Sequence, residues 1–214
     1  MFWDSQRQAF LFADGQPWPR AEQVRALRQL AELTTRTLTE VLQLHKAGKI
    51  TVTEAERLGI NILRLYYNIN SALAWGGWAQ TPTSTWGRNG ALLRNEYRYW
   101  RQFVAESSSL SAEQSAARAA LYAGRAYARF FDEERRRLSQ SGVLSPSWER
   151  WSALGDAVTC ADCLALAALA WVPFGTLPTV PGAGATRCLG ACRCEIIYAY
   201  TVEAPDESEL ERST

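Results

Sequence analysis

Five cysteines carry the most concentrated chemistry in this sequence. Cys160, Cys163, Cys188, Cys192 and Cys194 fall within one 35-residue stretch, and nothing before residue 160 is a cysteine. Cys160-Ala-Asp-Cys163 is a C-x2-C knuckle, which lets two thiolates grip one tetrahedral ion from a single turn of backbone. After 24 intervening residues, Cys188-Leu-Gly-Ala-Cys192-Arg-Cys194 offers three more sulfurs. Four thiolates would close a structural zinc site, leaving no coordination position for water. The preferred ligands are Cys160, Cys163, Cys188 and Cys192, with Cys194, on the same face as Cys192, able to take a place among them. One or two disulfides, or reduced thiols without a partner, are the competing states. The odd count excludes complete internal pairing. Gly182, Gly184 and Gly190 suit a loop that folds tightly around an ion. The single histidine, His45, lies more than 100 residues earlier and is not expected to be a ligand.

Other chemistry is sparser. A lone, distant His45 gives no Cys–His or Ser–His pair, and the glycines at 182 and 184 lack the lysine of a phosphate loop. Asp156 and Asp162 flank the first knuckle and could act as general acid and base, but Asp162 more simply caps the helix that follows. No enzyme is expected. Arg118, Arg125, Arg129 and Arg136 are spaced so that, at about 100° per residue, they fall on one stripe of a helix. Arg94, Arg98 and Arg101 make a second stripe on the preceding helix. Aligned guanidinium groups could grip DNA phosphates or an acidic subunit; the plainer reading is a solvated face paired with Glu96, Glu106, Glu113, Asp132, Glu133 or Glu134.

The elements that must position these groups are mostly helices. Apolar residues from Val24 to Leu42 keep one broad face and predict a helix from about Pro19 to Lys46. Thr53 and Glu56 fit a capping box opening a second helix to about Trp75. Residues 76–90, with four glycines and Trp78 and Trp86, read as an ordered aromatic loop. A third helix is expected over about 91–106. Ser111 and Gln114 form another capping box, opening a long helix to about Gln140 whose inner face is small: Ala117, Ala120, Gly124 and Ala128, then Phe131. That spacing predicts close approach of another helix. Leu164–Val172 reads as a short apolar helix, 173–191 as irregular, and Cys192–Thr201 as a strand.

The expected fold is therefore mainly α: a helical bundle with a small, irregular, cysteine-rich C-terminal subdomain containing a short β element. Residues 1–145 form the helical body with an aromatic, loop-like N-terminal arm, 146–202 the cysteine subdomain and 203–214 an acidic tail. Composition agrees with a chain that buries a core, since 47% of the 214 residues are hydrophobic and 21% charged. Net charge is +1, but the tail contributes −4, which leaves a body of about +5. The other aromatics sit at core spacings, which favours burial or an interface over base stacking. No apolar run reaches the ~18 residues of a membrane span, and the first residues lack a secretory signal. A soluble protein made in the cytoplasm is expected.

Trp151, Gly155-Asp156, Thr159-Cys160-Ala161-Asp162-Cys163, the Pro178–Gly184 stretch, Thr186-Arg187-Cys188 and Cys192-Arg193-Cys194 follow one another in an order that resembles the phage head-morphogenesis family, the Mu F-like minor head proteins. Upstream, Ala126-Tyr127-Ala128-Arg129 with Glu133 and Glu134, then Gly142, extend the resemblance over roughly residues 112–200. It implies a virion protein made in the host cytoplasm, acting in head assembly or at the portal and DNA-delivery vertex. Its partners would be the portal or major capsid protein within a homo- or hetero-oligomeric assembly, and packaged DNA. The alternative from another class is a zinc-ribbon-type nucleic-acid-binding protein using the two arginine stripes.

Overall fold

The computed structural model describes residues 16, 18–142 and 145–206, together with the backbone of 2–4 and 9–11. The fold is mainly α, with a small antiparallel sheet and the cysteine cluster near the C-terminus. Four long helices form the body: α1 (Arg20–Lys46), α2 (Val52–Trp75), α3 (Thr83–Glu106) and α4 (Ala112–Ser139). In the arm, β1 (Phe2–Asp4) and β2 (Ala9–Leu11) pair antiparallel, where a loop was expected; aromatic residues favour extended backbone. Most of the acidic tail, 207–214, lies outside the described residues.

Helix boundaries follow local hydrogen bonding. The capping box of α2 is made by Thr51 and Glu54, not Thr53 and Glu56: the Glu54 N–H donates to Thr51 Oγ1 at 3.2 Å, and the Thr51 N–H to Glu54 Oε2 at 2.8 Å. Thr-x-x-Glu occurs twice in Thr51–Glu56, and the first threonine, in extended backbone, takes the cap. The Ser111–Gln114 box opens α4 as expected. Gly76, at φ +88, ends α2 in the left-handed conformation that glycine tolerates. α3 then starts at Thr83, eight residues before the expected start. Gly87 and Gly90 stay helical because Thr85 and Asn89, on the opposite face of the helix, are buried and hydrogen-bonded to other helices. Tertiary contacts outweigh the glycine cost of about 1 kcal/mol each.

α4 is the centre of the bundle and packs against both α1 and α2. One core cluster, around Leu38, Leu63, Trp100, Phe103 and Tyr122, fills the end of the body near the α3–α4 turn. Gly59 makes room there for the Trp100 indole, whose N–H donates to Ala55 O at 3.2 Å. The second cluster joins Leu27, Trp75, Tyr127, Phe130 and Phe131 to Trp151, Ile196 and three of the cysteines. The helical body and the cysteine segment thus share one core. A sheet of order β4–β3–β5 completes it, formed by β3 (Trp148–Ser152), β4 (Val172–Pro173) and β5 (Glu195–Ala199). Trp151 sits opposite Ile196, and both are fully buried.

Being covered on several sides, α4 buries charge, and each buried charge has partners. Glu133 and Glu134, about 100° apart as adjacent helical residues, serve opposite neighbours. Glu133 accepts from Trp75 Nε1 at 2.9 Å, Thr85 Oγ1 at 3.0 Å and Arg88 Nη2 at 2.7 Å, and pairs with Arg129. Burial works against its charge, but the Arg88 and Trp75 hydrogen bonds prevail and hold its pKa at about 2. Glu134 accepts from Arg20 Nη2 at 2.9 Å, and the same guanidinium donates to Ile196 O at 2.9 Å. Arg135 ties α4 to the sheet through Glu149, which also accepts the Leu177 N–H at 2.8 Å.

The depressed Glu133 pKa fixes a pH dependence. Its contribution is complete above the ordinary carboxylate value of 4.5 and falls as pH drops toward 2. The stability advantage of the wild type over Glu133→Gln should shrink by about 3 kcal/mol across that window, measured by urea unfolding. A constant difference between the two proteins would contradict the network.

Candidate metal centre

The cysteines come from three short pieces of backbone. Cys160 is the N-cap of α5 (Ala161–Ala167), and Cys163 lies in its first turn, 1% exposed. Cys188 precedes the 3-10 turn Leu189–Ala191, and Cys192 and Cys194 lie in the extended segment leading into β5. The expected strand thus begins three residues later, at Glu195, and α5 is displaced toward the knuckle relative to the expected 164–172 helix. Leu164 within α5 and Leu169 just after it are about half exposed, because the knuckle rather than an apolar face anchors the turn.

All five sulfurs converge. Cys160, Cys163 and Cys188 form one triad and Cys163, Cys192 and Cys194 another, each with its sulfurs within 4.8 Å of one another. Cys163 is the hub, its Sγ 3.6 Å from that of Cys188 and 3.9 Å from that of Cys192. All five are free thiols, so the cluster can hold a metal ion. Cys160, Cys163 and Cys188 of the preferred set share one triad, while its fourth member, Cys192, falls with Cys194 in the other, Cys163 being common to both. His45 is remote, at the far end of α1, where its Nδ1 lies 3.4 Å from Ile50 O.

Protonation differs between the sulfurs. The hydrogen bond from Cys192 is the main cause that lowers the Cys194 pKa to about 6; burial opposes it, and Cys163, the Trp151 indole and the Leu154 N–H reinforce it. Cys192 is pushed up by the same contact and by burial. At Cys163, burial and the neighbouring thiols both raise the pKa. At Cys160, burial is outweighed by hydrogen bonds from Cys163 and Cys188, and the net shift is downward.

Hydrogen bonds from the surrounding residues fix the loop. Asp162 does not cap α5: its Oδ2 accepts the Arg187 N–H at 2.7 Å, pinning the backbone next to Cys188 to the knuckle. Asp156 accepts from Arg193 Nη2 at 2.7 Å and Thr159 Oγ1 at 2.8 Å, and the Arg193 contact chiefly holds its pKa at about 2. Both acid–base candidates are thus engaged in ion pairs that bracket the cluster. Tyr127, from α4, donates its hydroxyl to Cys194 O at 2.9 Å.

The small stripe of α4 meets this segment instead of a helix. A side chain at Gly124 would run into the backbone of Gly190, and one at Gly190 into Ala120 O. Gly182, at φ +82, lies against Gly124 O and the Tyr127 ring. Ala117, the first residue of the predicted face, is exposed. Leu189 is held at φ +48, a conformation that costs a branched residue energy, so the turn before Gly190 is set by its docking on α4.

Most of the stripe arginines are engaged with acids or aromatic rings, and Arg125, Arg129 and Arg136 line one cleft. Arg118 pairs with Glu106 at 2.8 Å and covers the Phe103 ring. Arg125 pairs with Glu96 at 3.0 Å, and Arg129 is buried against Asp132 and Glu133. Arg136 is half exposed, with Nε 3.7 Å from Glu133. On α3, Arg101 lies 3.7 Å from Glu56, Arg98 covers Tyr99, and Arg94 is exposed. Arg88 belongs to the same group but was hidden in the sequence, because its segment reads as a loop. Trp78 and Trp86 stack at 5.0 Å on the surface, Trp78 being 56% exposed. Among the described residues, no helix is long and apolar enough to cross a membrane.

Two substitutions test this arrangement. Gly124→Ala should destabilise the protein by about 3 kcal/mol, because backbone blocks the added methyl. Gly87→Ala, at a helical site open to solvent, should gain about 0.5–1 kcal/mol in the same urea titration. The hub position predicts that Cys163→Ser abolishes Co2+ binding, followed by thiolate charge-transfer absorption, while Cys160→Ser only weakens it. Equal losses would contradict a shared central sulfur.

No protein-family model matches this sequence, and no curated protein or solved structure is significantly similar to it.

Proposed function

We propose that the chain is a structural component of a bacteriophage particle, of the minor head protein type, whose cysteine cluster holds zinc as a staple. The observation that carries this reading is the convergence of the residues behind the family resemblance. Trp151, Asp156, the Cys160–Cys163 knuckle, Arg187-Cys188 and Cys192-Arg193-Cys194 lie along 44 residues of sequence and gather into one unit, Trp151 by packing and the others by hydrogen bonds and sulfur contacts. That unit is seated on the helix bearing Arg129, Glu133 and Glu134, the upstream part of the same resemblance.

Zinc is supported by donor type and spacing. Four thiolates about 2.3 Å from a tetrahedral zinc ion lie roughly 3.8 Å apart. The Cys163–Cys188 and Cys163–Cys192 separations of 3.6 and 3.9 Å bracket that value. With sulfur alone as donor, the ion contributes rigidity, and the segment it fixes has little regular structure of its own. The protein then acts by position, its helical body contacting the portal or major capsid protein.

Two measurements test the two parts separately. Metal analysis of the reduced, purified chain should find about one zinc per chain; absence of metal, with a mass deficit matching disulfides, overturns the staple. Co-expression with the portal and major capsid proteins of the same particle should bring the chain into the fast-sedimenting fraction. Sedimentation as the free chain alone would overturn the particle reading.

A further inference from the structure

Away from the cysteines, α3 and α4 enclose a cleft of about 500 Å³ lined by Arg88, Arg125, Arg129, Asp132 and Arg136, with Ala183 on its rim. Four guanidinium groups thus face one space against one carboxylate. The acids that orient them lie behind: Glu133 is fully buried and Glu96 only 9% exposed at its side chain. Carboxylates placed there hold the cations in position while the field directed into the cleft stays positive.

The donors are unequally used. Arg129 is consumed internally, donating to Asn89, Asp132 and Glu133. Arg88 uses Nε and Nη2 on Glu133 and Thr85. Arg125 uses Nη1 on Glu96, and Arg136 makes only its long contact with Glu133. Among the described residues, Arg88 Nη1, Arg125 Nη2 and both terminal nitrogens of Arg136 have no acceptor. Three partly exposed guanidinium groups therefore line the cleft with N–H donors to spare, fixed from behind by buried ion pairs.

We propose that this cleft is a binding site for a phosphate-bearing ligand. Guanidinium forks bind phosphate oxygens bidentately, and a tetrahedral phosphate offers more acceptor positions than the two oxygens of one carboxylate. The site uses arginines of both helices and the rim of the 173–191 loop, and it stands independently of the zinc and particle readings. A free phosphate and a nucleic-acid phosphodiester present the same chemistry.

The probes are inorganic pyrophosphate and a short DNA duplex, titrated into the reduced full-length chain at low salt by calorimetry and fluorescence anisotropy. Binding of pyrophosphate assigns the site to free phosphates. Binding of the duplex alone, with affinity falling steeply as salt rises, assigns it to phosphodiester. In either case Arg136→Gln should weaken binding about tenfold, the scale of a lost charge-assisted contact. Ala183→Glu, which adds a carboxylate at the exposed rim, should do the same without touching the buried pairs. Arg98→Gln, on α3 but outside the cleft, should leave affinity unchanged, with all three variants matching wild type by circular dichroism. Failure of both probes to bind overturns the proposal. So does an equal loss in Arg98→Gln, or tighter binding of a polyglutamate peptide than of either probe.

Discussion

A helix that is surrounded must either be apolar throughout or pair every charge that it buries. α4 takes the second course, and the rest of the structure depends on it. Its carboxylates and guanidiniums cost several kcal/mol each to remove from water and persist only with partners in place. Glu133 draws donors from α2, α3 and its own helix, while Glu134 draws Arg20 from α1. These contacts fix where each neighbour can sit, a directional constraint that apolar packing alone does not impose.

The opposite strategy operates where the cysteine segment docks. There α4 presents almost no side chain, and backbone meets backbone across Gly124, Gly182 and Gly190. Such proximity lets Tyr127 reach a carbonyl within the cluster and places three cysteines in the same core as Phe130 and Phe131. The sulfurs are therefore packing groups as well as candidate ligands. A segment with this little regular structure is held by α4 on one side and by its own sulfurs on the other.

Much of this was legible in the sequence. The apolar period located the long helices, and the clustering of Cys160 to Cys194 identified the centre, because thiols this concentrated have few uses. The failures have physical causes. Two overlapping Thr-x-x-Glu patterns look equally good until the backbone shows which threonine is extended. Gly87 and Gly90 suggest a loop because propensity does not register the Thr85 and Asn89 hydrogen bonds that pay for the helix. The small stripe on α4 correctly signalled a close approach but could not reveal that a loop, rather than a helix, makes it. Trp148–Ser152 was not read as a strand, since Glu149 looks like a surface residue until Arg135 accounts for its burial. The same blindness hid Arg88 from the arginine group.

The Arg20 guanidinium reaches partners 114 and 176 positions further along the chain, joining Glu134 on α4 to the Ile196 carbonyl of the final strand. During synthesis, α1 emerges long before either partner exists. Its Leu27 face is not fully covered until residues beyond 190 have left the ribosome, so this half of the core closes last and over the longest loops in the chain. The other half, around Trp100 and Tyr122, needs nothing beyond α4 and can be complete by then. The order of translation thus separates the two core clusters into an early one and a late one, and the cysteines belong to the late one.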